Sequence, residues 1–216
     1  MAKKSYIIGI DEVGRGPLAG PVVVCALAMP ANLSLRGGGR RSNLLPPLKD
    51  SKKLSKLQRE AWYQWIKNHH EISYAVSRVY PRGIERLNIS QAANLAATRA
   101  AQKVISHWPL ATSAKIFLDG GLYFHSLVAS GYPLVAKTVI KGDEKIPAIS
   151  LASIVAKVIR DRFMDKLHKK YPEYGFDRHK GYGTAAHLAA LKKFGRTVAH
   201  RTTFLKNFNL HKFRYI

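Results

Sequence analysis

Cysteine is almost absent from this chain. Cys25 is the sole one in 216 residues, so no intrachain disulfide can form and a reducing compartment is expected. Long apolar runs are missing as well: there is no uncharged stretch of roughly 18 residues to span a bilayer and no basic amphipathic anchor, so no membrane partner is expected. Lys3 and Lys4 precede apolar residues as they would in an export signal, but Asp11, Glu12 and Arg15 interrupt the run, which points to the cytoplasm. No internal repeat or compositional boundary divides the chain, so a single domain over 1–216 is the expectation. No cluster of Cys or closely spaced His offers a site for a soft metal. Acid is the most informative shortage. Thirteen Asp+Glu face 36 Lys+Arg, a formal net charge of +23. That imbalance predicts attraction to a polyanion, of which nucleic acid is the commonest. The 46% hydrophobic content is enough for a real core.

The stretch Ile7–Pro21, IIGIDEVGRGPLAGP, organises what is present. An apolar strand from Tyr6 to Ile10 delivers Asp11 and Glu12, a Gly-Arg-Gly turn follows, and a second strand runs from Pro21 to Ala28. Residues 31–47, with Gly37-Gly38-Gly39 between Arg36, Arg40 and Arg41, read as a flexible basic loop. Ser51 or Ser55 caps a helix burying Leu57, Ala61, Trp62, Trp65 and Ile66. Glu71–Val79 alternates as a strand, turned by Pro81-Arg82-Gly83. Asn88–Trp108 is an Ala-rich helix closed by Pro109. Short strands at Lys115–Leu118 and Leu134–Ile140 end at Asp119-Gly120 and Lys141-Gly142-Asp143. A helix from about Ile149 to Lys170 buries Ile154, Val155, Val158, Ile159, Phe163 and Leu167. Thr184 caps a last helix through Phe194, and a basic, aromatic tail follows. Strands alternating with helices predict an α/β or α+β fold around a mixed sheet.

The few acids separate into two kinds. Glu60, Asp161 and Asp165 lie in helices with a Lys or Arg three or four residues away and read as surface ion pairs. Glu71, Glu85, Glu173 and Asp177 read as boundary or loop residues. Asp11, Asp119 and Asp143 instead each end an apolar strand. Strand-end carboxylates on one sheet repel unless a cation lies among them. Glu12 adds a fourth donor if the chain turns at once, since neighbours in a strand face opposite ways. An all-carboxylate set favours Mg²⁺ or Mn²⁺. Acids holding metal inside a basic protein suggest a nuclease: Lys and Arg neutralise phosphates, while ions about 3.5–4 Å apart activate water and stabilise the departing oxygen. A dinucleotide-binding loop at Gly14-x-Gly16 is disfavoured, because the two acids would repel a pyrophosphate and a strand follows where a helix is needed. A non-catalytic RNA-binding protein would leave the converging acids without a role.

Eight segments, in order, resemble the type 2 ribonucleases H (ribonuclease HII): IDEVGRGPLAGPVV at Ile10–Val23, DSKKLS at Asp50–Ser55, NIS at Asn88–Ser90, LDG at Leu118–Gly120, KGDEKIPAISLASIVAKVIRD at Lys141–Asp161, YPEYGF at Tyr171–Phe176, HKGYGT at His179–Thr184 and HRTTF at His200–Phe204. The resemblance implies a ribonuclease H-like mixed sheet flanked by helices, with a helical C-terminal extension. It implies a monomeric, metal-dependent endonuclease acting on RNA–DNA hybrids and on single ribonucleotides in duplex DNA. Cuts would fall 5′ of the ribonucleotide and leave 3′-hydroxyl and 5′-phosphate ends. It places the metal-site acids at Asp11, Glu12, Asp119 and Asp143. It assigns Gly14, Arg15 and Gly16 to reading the ribose 2′-hydroxyl and Tyr182 to sensing the junction on the adjacent deoxyribose. Ser51, Lys52, Lys53 and Lys141 become candidate phosphate contacts. The chain departs from the family pattern in a longer segment between Asp119 and Asp143, including Tyr123–Tyr132, and in the Gly-rich loop near Gly38. The type 3 enzymes carry an extra N-terminal domain and lack the arginine matched by Arg15.

Overall fold

The two apolar runs around the first acids pair with one another, and the rest of the sheet grows from them. The structure, a computed structural model, describes residues 5–35, 45–107, 114–124, 128–129, 132–133 and 136–209. β1 (Tyr6–Val13) and β2 (Val22–Pro30) are antiparallel, with Asp11 opposite Cys25, and β3 (Ser73–Val79) pairs antiparallel with β2. β4 (Lys115–Asp119) lies parallel to β1 on its other side. β5 (Val128–Ala129) and β6 (Tyr132–Pro133) form a separate two-stranded ribbon, and β7 (Ala136–Val139) runs parallel to β4. The main sheet is therefore mixed, in the order β3-β2-β1-β4-β7.

Helices α1 (Lys56–Asn68), α2 (Pro81–Leu87) and α3 (Ile89–His107) precede β4; α4 (Gly142–Lys145), α5 (Pro147–Lys170), α6 (Phe176–His179), α7 (Ala185–Phe194) and α8 (Thr202–Leu205) follow β7. The alanines of α3 at 92, 93, 96, 97, 100 and 101 are buried against Ile8, Ile10, Val22 and Val24 on one face of the sheet. Their small side chains let the helix lie close. The other face takes α5, whose Leu151, Ala152, Ile154 and Val155 meet Cys25 and Leu27, with Trp62 and Ile66 of α1 alongside. Helix α5 approaches β1 so closely that a Cβ on Gly9 would lie 2.2 Å from the Ala148 carbonyl carbon. A third cluster, including Leu18, Met164, Tyr174, Phe176 and Leu191, joins the loop after β1 to the C-terminal helices. No helix among the described residues is long and apolar enough to cross a membrane.

Several expectations are corrected. The N-cap of α1 is Ser55, with a reciprocal capping box to Gln58, while Ser51 lies outside the helix. Leu57 is 82% exposed, and Tyr63 is buried in its place. Five residues before Trp62, Leu57 stands about 140° around the helix from it. Pro81-Arg82-Gly83 does not merely turn the chain but starts α2, with Pro81 in the first turn. Gly83 is required there because a Cβ would lie 2.7 Å from Val79 Cγ1. Helix α5 starts at Pro147 and is buried on nearly every side through its first half, not along a single stripe. Asp161 is not a surface pair: it is 7% exposed and bonded to Lys157 Nζ at 2.7 Å, with Arg59 nearby. Glu85, placed in a loop by its context, lies in α2 and accepts from the Thr203 amide and hydroxyl. Residues 36–44, the centre of the expected basic loop, lie outside the described residues, as do Trp108, Pro109, residues 134–135 and the tail beyond 209.

Candidate active site

Three parallel strands bring the acids to one edge. Ile10 is level with Leu118, so Asp11 and Asp119 follow at matching positions on neighbouring strands. Asp119 is in turn level with Val139, and the chain beyond β7 turns through Lys141, at φ +53, into α4, which carries Asp143. Carboxyl ends of parallel strands are where open α/β sheets bind ligands.

Asp11 is 5% exposed and lies on the α5 face, where its Oδ1 accepts the Glu12 amide at 2.7 Å. Burial, Glu12 and Asp119 push its pKa well above 3.8, and a hydrogen bond from Ser153 opposes the rise. Asp119 Oδ1 accepts the Gly142 amide at 2.7 Å, which ties β4 to the turn bearing Asp143. Burial and the charges of Asp119 and Asp50 raise the Asp143 pKa. The immediate turn that was the condition for Glu12 to join does not occur, yet the Glu12 carboxylate still lies close enough to Asp11 and Asp119 for their charges to act on one another. Strand β1 continues to Val13, and alternation directs Glu12 to the opposite face. Burial raises the Glu12 pKa, Arg15 lowers it and Asp119 raises it further. Glu12 Oε1 lies 3.4 Å from Arg15 Nη1, while Oε2 is buried without a hydrogen-bond partner.

The four carboxylates are thus neighbours but do not close into a cage. Among the described residues, no three His, Cys, Asp or Glu are gathered as a formed metal site would gather them. The donor chemistry nevertheless fits a hard divalent cation: every candidate ligand is a carboxylate, each oxygen-rich, and one buried oxygen lacks a donor.

The Gly-Arg-Gly turn sits beside these acids. Gly14 has φ +91, and a Cβ there would strike Arg160 Nε at 2.2 Å. The Arg15 side chain folds back, donating to Gly121 O at 3.2 Å and Ser90 Oγ at 3.1 Å, and of the three turn residues Gly16 is the exposed one. A Cβ on Gly16 would lie 3.8 Å from Tyr182 Cε1, and Tyr182 is 47% exposed. The turn and the tyrosine therefore share one surface despite their separation in sequence. Lys52, Lys53 and Lys141 are exposed, with Lys53 paired to Glu144 at 2.8 Å. Ser51 is not a surface contact. It is 3% exposed and shares a 2.8 Å hydrogen bond with Ser153, because the segment before α1 packs onto α5.

Residue type and local pattern do not mark the two buried cations that hold this loop. Arg201 donates to the carbonyls of Gly14, Arg15 and Gly20 at 2.6–3.0 Å, and Arg160 to those of Pro21, Ala19 and Lys180 at 3.0–3.2 Å. Burial lowers both pKa values, that of Arg201 to about 9. Asp50 was equally unmarked: its charge reaches Asp143 across a cleft of about 700 Å³ lined also by Lys53, Glu144 and Ser150. The one available signal was position, since Asp50, Arg160 and Arg201 all fall inside segments that resemble the ribonuclease H family.

Residues 8–208 match the family model for ribonuclease HII. A ribonuclease HII from Polynucleobacter necessarius is 42% identical over 202 residues, covering 92% of each chain. Ribonuclease H2 from Pyrococcus horikoshii superimposes with a TM-score of 0.70 at 24% identity, over 96% of this chain and 97% of that one. Bst-RNase HIII, a protein solved in complex with Mn²⁺, has the same fold at a TM-score of 0.62 and 18% identity, over 89% of this chain and 63% of that one.

Proposed function

This chain belongs to the ribonuclease HII family, endonucleases of RNA in RNA–DNA hybrids, and on that premise we propose a divalent-metal-dependent enzyme that also cuts 5′ of single ribonucleotides in duplex DNA. Asp11, Glu12, Asp119 and Asp143 would hold Mg²⁺ or Mn²⁺. The observation that carries the reading is the level placement of Asp11 and Asp119 on adjacent parallel strands, beside the unpartnered Glu12 Oε2. When bound, the ions would activate water for attack on the phosphate and stabilise the departing 3′-oxygen, leaving 3′-hydroxyl and 5′-phosphate ends.

The protein's own groups place the substrate. Gly14-Arg15-Gly16, held by Arg201, presents backbone groups to the ribose 2′-hydroxyl, which distinguishes RNA from DNA. Arg15 acts through its tether to Glu12, Gly121 and Ser90 more than by reaching outward. Tyr182 packs on the deoxyribose next to the ribonucleotide. Lys52, Lys53 and Lys141 are exposed for phosphate contact. The buried, free Cys25 suits the reducing cytoplasm.

The test is cleavage of duplex DNA containing one ribonucleotide, with and without divalent cation. A single cut 5′ of the ribonucleotide that disappears with chelator and returns with Mg²⁺ or Mn²⁺ is the expected result. Undiminished cleavage in chelator, or products with 3′-phosphate ends, would remove the metal reading.

A further inference from the structure

Three histidines crowd the base of the Tyr182 loop, and the established chemistry of the family's acids does not use them. His187 and His200 are among the most buried polar side chains in the molecule, at 0% and 3% exposure. Their hydrogen bonds determine where each proton sits. The Thr197 amide lies 2.9 Å from His200 Nδ1, and an amide nitrogen can only donate, so Nδ1 is the acceptor. His200 therefore carries its proton on Nε2, which stands 3.1 Å from His187 Nε2. That nitrogen must accept, which leaves the His187 proton on Nδ1, 2.9 Å from the carbonyl oxygen of Tyr182.

Once the first donor is fixed, every later assignment follows. The same logic holds for the third ring: the Gly181 amide donates to His179 Nδ1 at 3.2 Å, so His179 Nε2–H is directed at the Tyr174 carbonyl, 2.6 Å away. The His179 ring stacks on His187 at 4.5 Å. Burial lowers the pKa of His187 to about 4 and that of His200 to about 3, so both are neutral at working pH and the directional chain is intact.

The chain ends on the peptide that carries Tyr182. Its carbonyl also accepts the Thr184 amide at 2.9 Å, while Leu18 donates to the neighbouring Gly181 carbonyl at 2.8 Å. The loop is thus anchored to both α7 and the segment after Gly16.

We propose that His200 and His187 form a relay of fixed tautomers that holds the Tyr182 peptide, and with it the ring beside Gly16, as positioning residues for recognition of the ribonucleotide–deoxyribonucleotide junction. The inference rests on the reading of Tyr182 as the junction-sensing residue.

Two measurements test it. Long-range ¹H–¹⁵N correlation spectra of the unaltered protein at neutral pH report histidine tautomers directly. Protonated Nδ1 on His187 with protonated Nε2 on His200 is expected; any other pair overturns the relay. The second compares kcat/KM on a lone embedded ribonucleotide with kcat/KM on a uniform hybrid. His187→Leu removes the donor to Tyr182 and should lower this ratio roughly three- to tenfold, as for loss of one hydrogen bond. His187→Asn, whose amide can stand where Nδ1–H stood, should restore most of it. Equal losses on both substrates, or no rescue by Asn, would reduce the histidines to ordinary core residues. Tyr182→Ala separates the two claims. If it leaves the ratio unchanged, the reading of Tyr182 fails. If it shifts the ratio while a folded His187→Leu does not, the relay fails. Should His187→Leu not fold, the tautomers and His187→Asn decide.

Discussion

At Asp11, burial, Glu12 and Asp119 all oppose the charged form. Asparagine there keeps the oxygen that accepts the Glu12 amide and removes the repulsion. Asp11→Asn is therefore expected to abolish cleavage, tighten hybrid binding at low salt and raise the thermal midpoint by about 2–4 °C, the shift that roughly 1 kcal/mol produces in a chain this size. The sign with pH follows from the raised pKa. The stability gain is absent below the ordinary aspartate value near 3.8 and complete once pH exceeds the raised one. Calorimetry across pH beside a cleavage assay checks both parts; retained turnover would take Asp11 out of the site, and a lowered midpoint would deny the repulsion. At this scale Asp11, Asp119 and Asp143 stood out because acids are scarce and each follows an apolar run, although Asp143 lies in α4 beyond β7 and not at a strand end as expected. Arg160, Arg201, His187 and His200 were not. In sequence they look like any solvated basic residue, and what makes them internal is a set of backbone carbonyls and amides brought from elsewhere in the fold.

At the scale of elements, the site depends on how closely α5 lies on β1. Its first turns supply Ser150, bonded to the Asp143 carbonyl, and Ser153, bonded to Asp11 and Ser51. Gly9 makes this contact possible, because the atoms a Cβ would meet are the Ala148 carbonyl carbon at 2.2 Å and the Ile149 nitrogen at 2.3 Å. Backbone cannot rotate away as a side chain can. Gly9→Ala should cost about 1–3 kcal/mol or more in urea denaturation, with reduced cleavage in the surviving folded protein. A variant as stable and active as the parent would show that α5 can shift without disturbing the acids. Elements with local signals were legible in part: Ser55, one of two candidate caps of α1, and Thr184, the cap of α7, act within a few residues, whereas α5 starts at Pro147, two residues ahead of the expected Ile149. The errors came where one local signal has two meanings. Proline at 81 fits a turn and also a first helical turn. The apolar side chain of Leu57 matched a helical pattern while standing on the far side from Trp62, and only the packed neighbours distinguish those cases.

Across the whole molecule, the small number of acids is divided between the site and internal pairing. Asp11, Glu12, Asp119, Asp143, Asp50 and Glu144 lie at or beside the candidate site. Glu60 is paired with Arg162, Asp161 with Lys157 and Arg59, and Asp165 with Lys180 and Lys56, all but one of these bonds joining separate elements. Few carboxylates remain to offset the excess of Lys and Arg, which leaves a net positive field around the acids of the candidate site. Such a field attracts a duplex through its phosphates irrespective of sequence, and those acids lower affinity at the one place where chemistry occurs. The binding of catalytically inactive Asp11→Asn to a uniform hybrid is therefore expected to be steeply salt-dependent. With about six phosphates neutralised, affinity should fall on the order of a thousandfold between roughly 50 and 200 mM monovalent salt. Fluorescence anisotropy with a labelled hybrid gives the slope of log affinity against log salt. A slope shallower than about −2 would mean that fewer than three phosphates are held, and the high positive charge would then need a partner other than the nucleic-acid backbone.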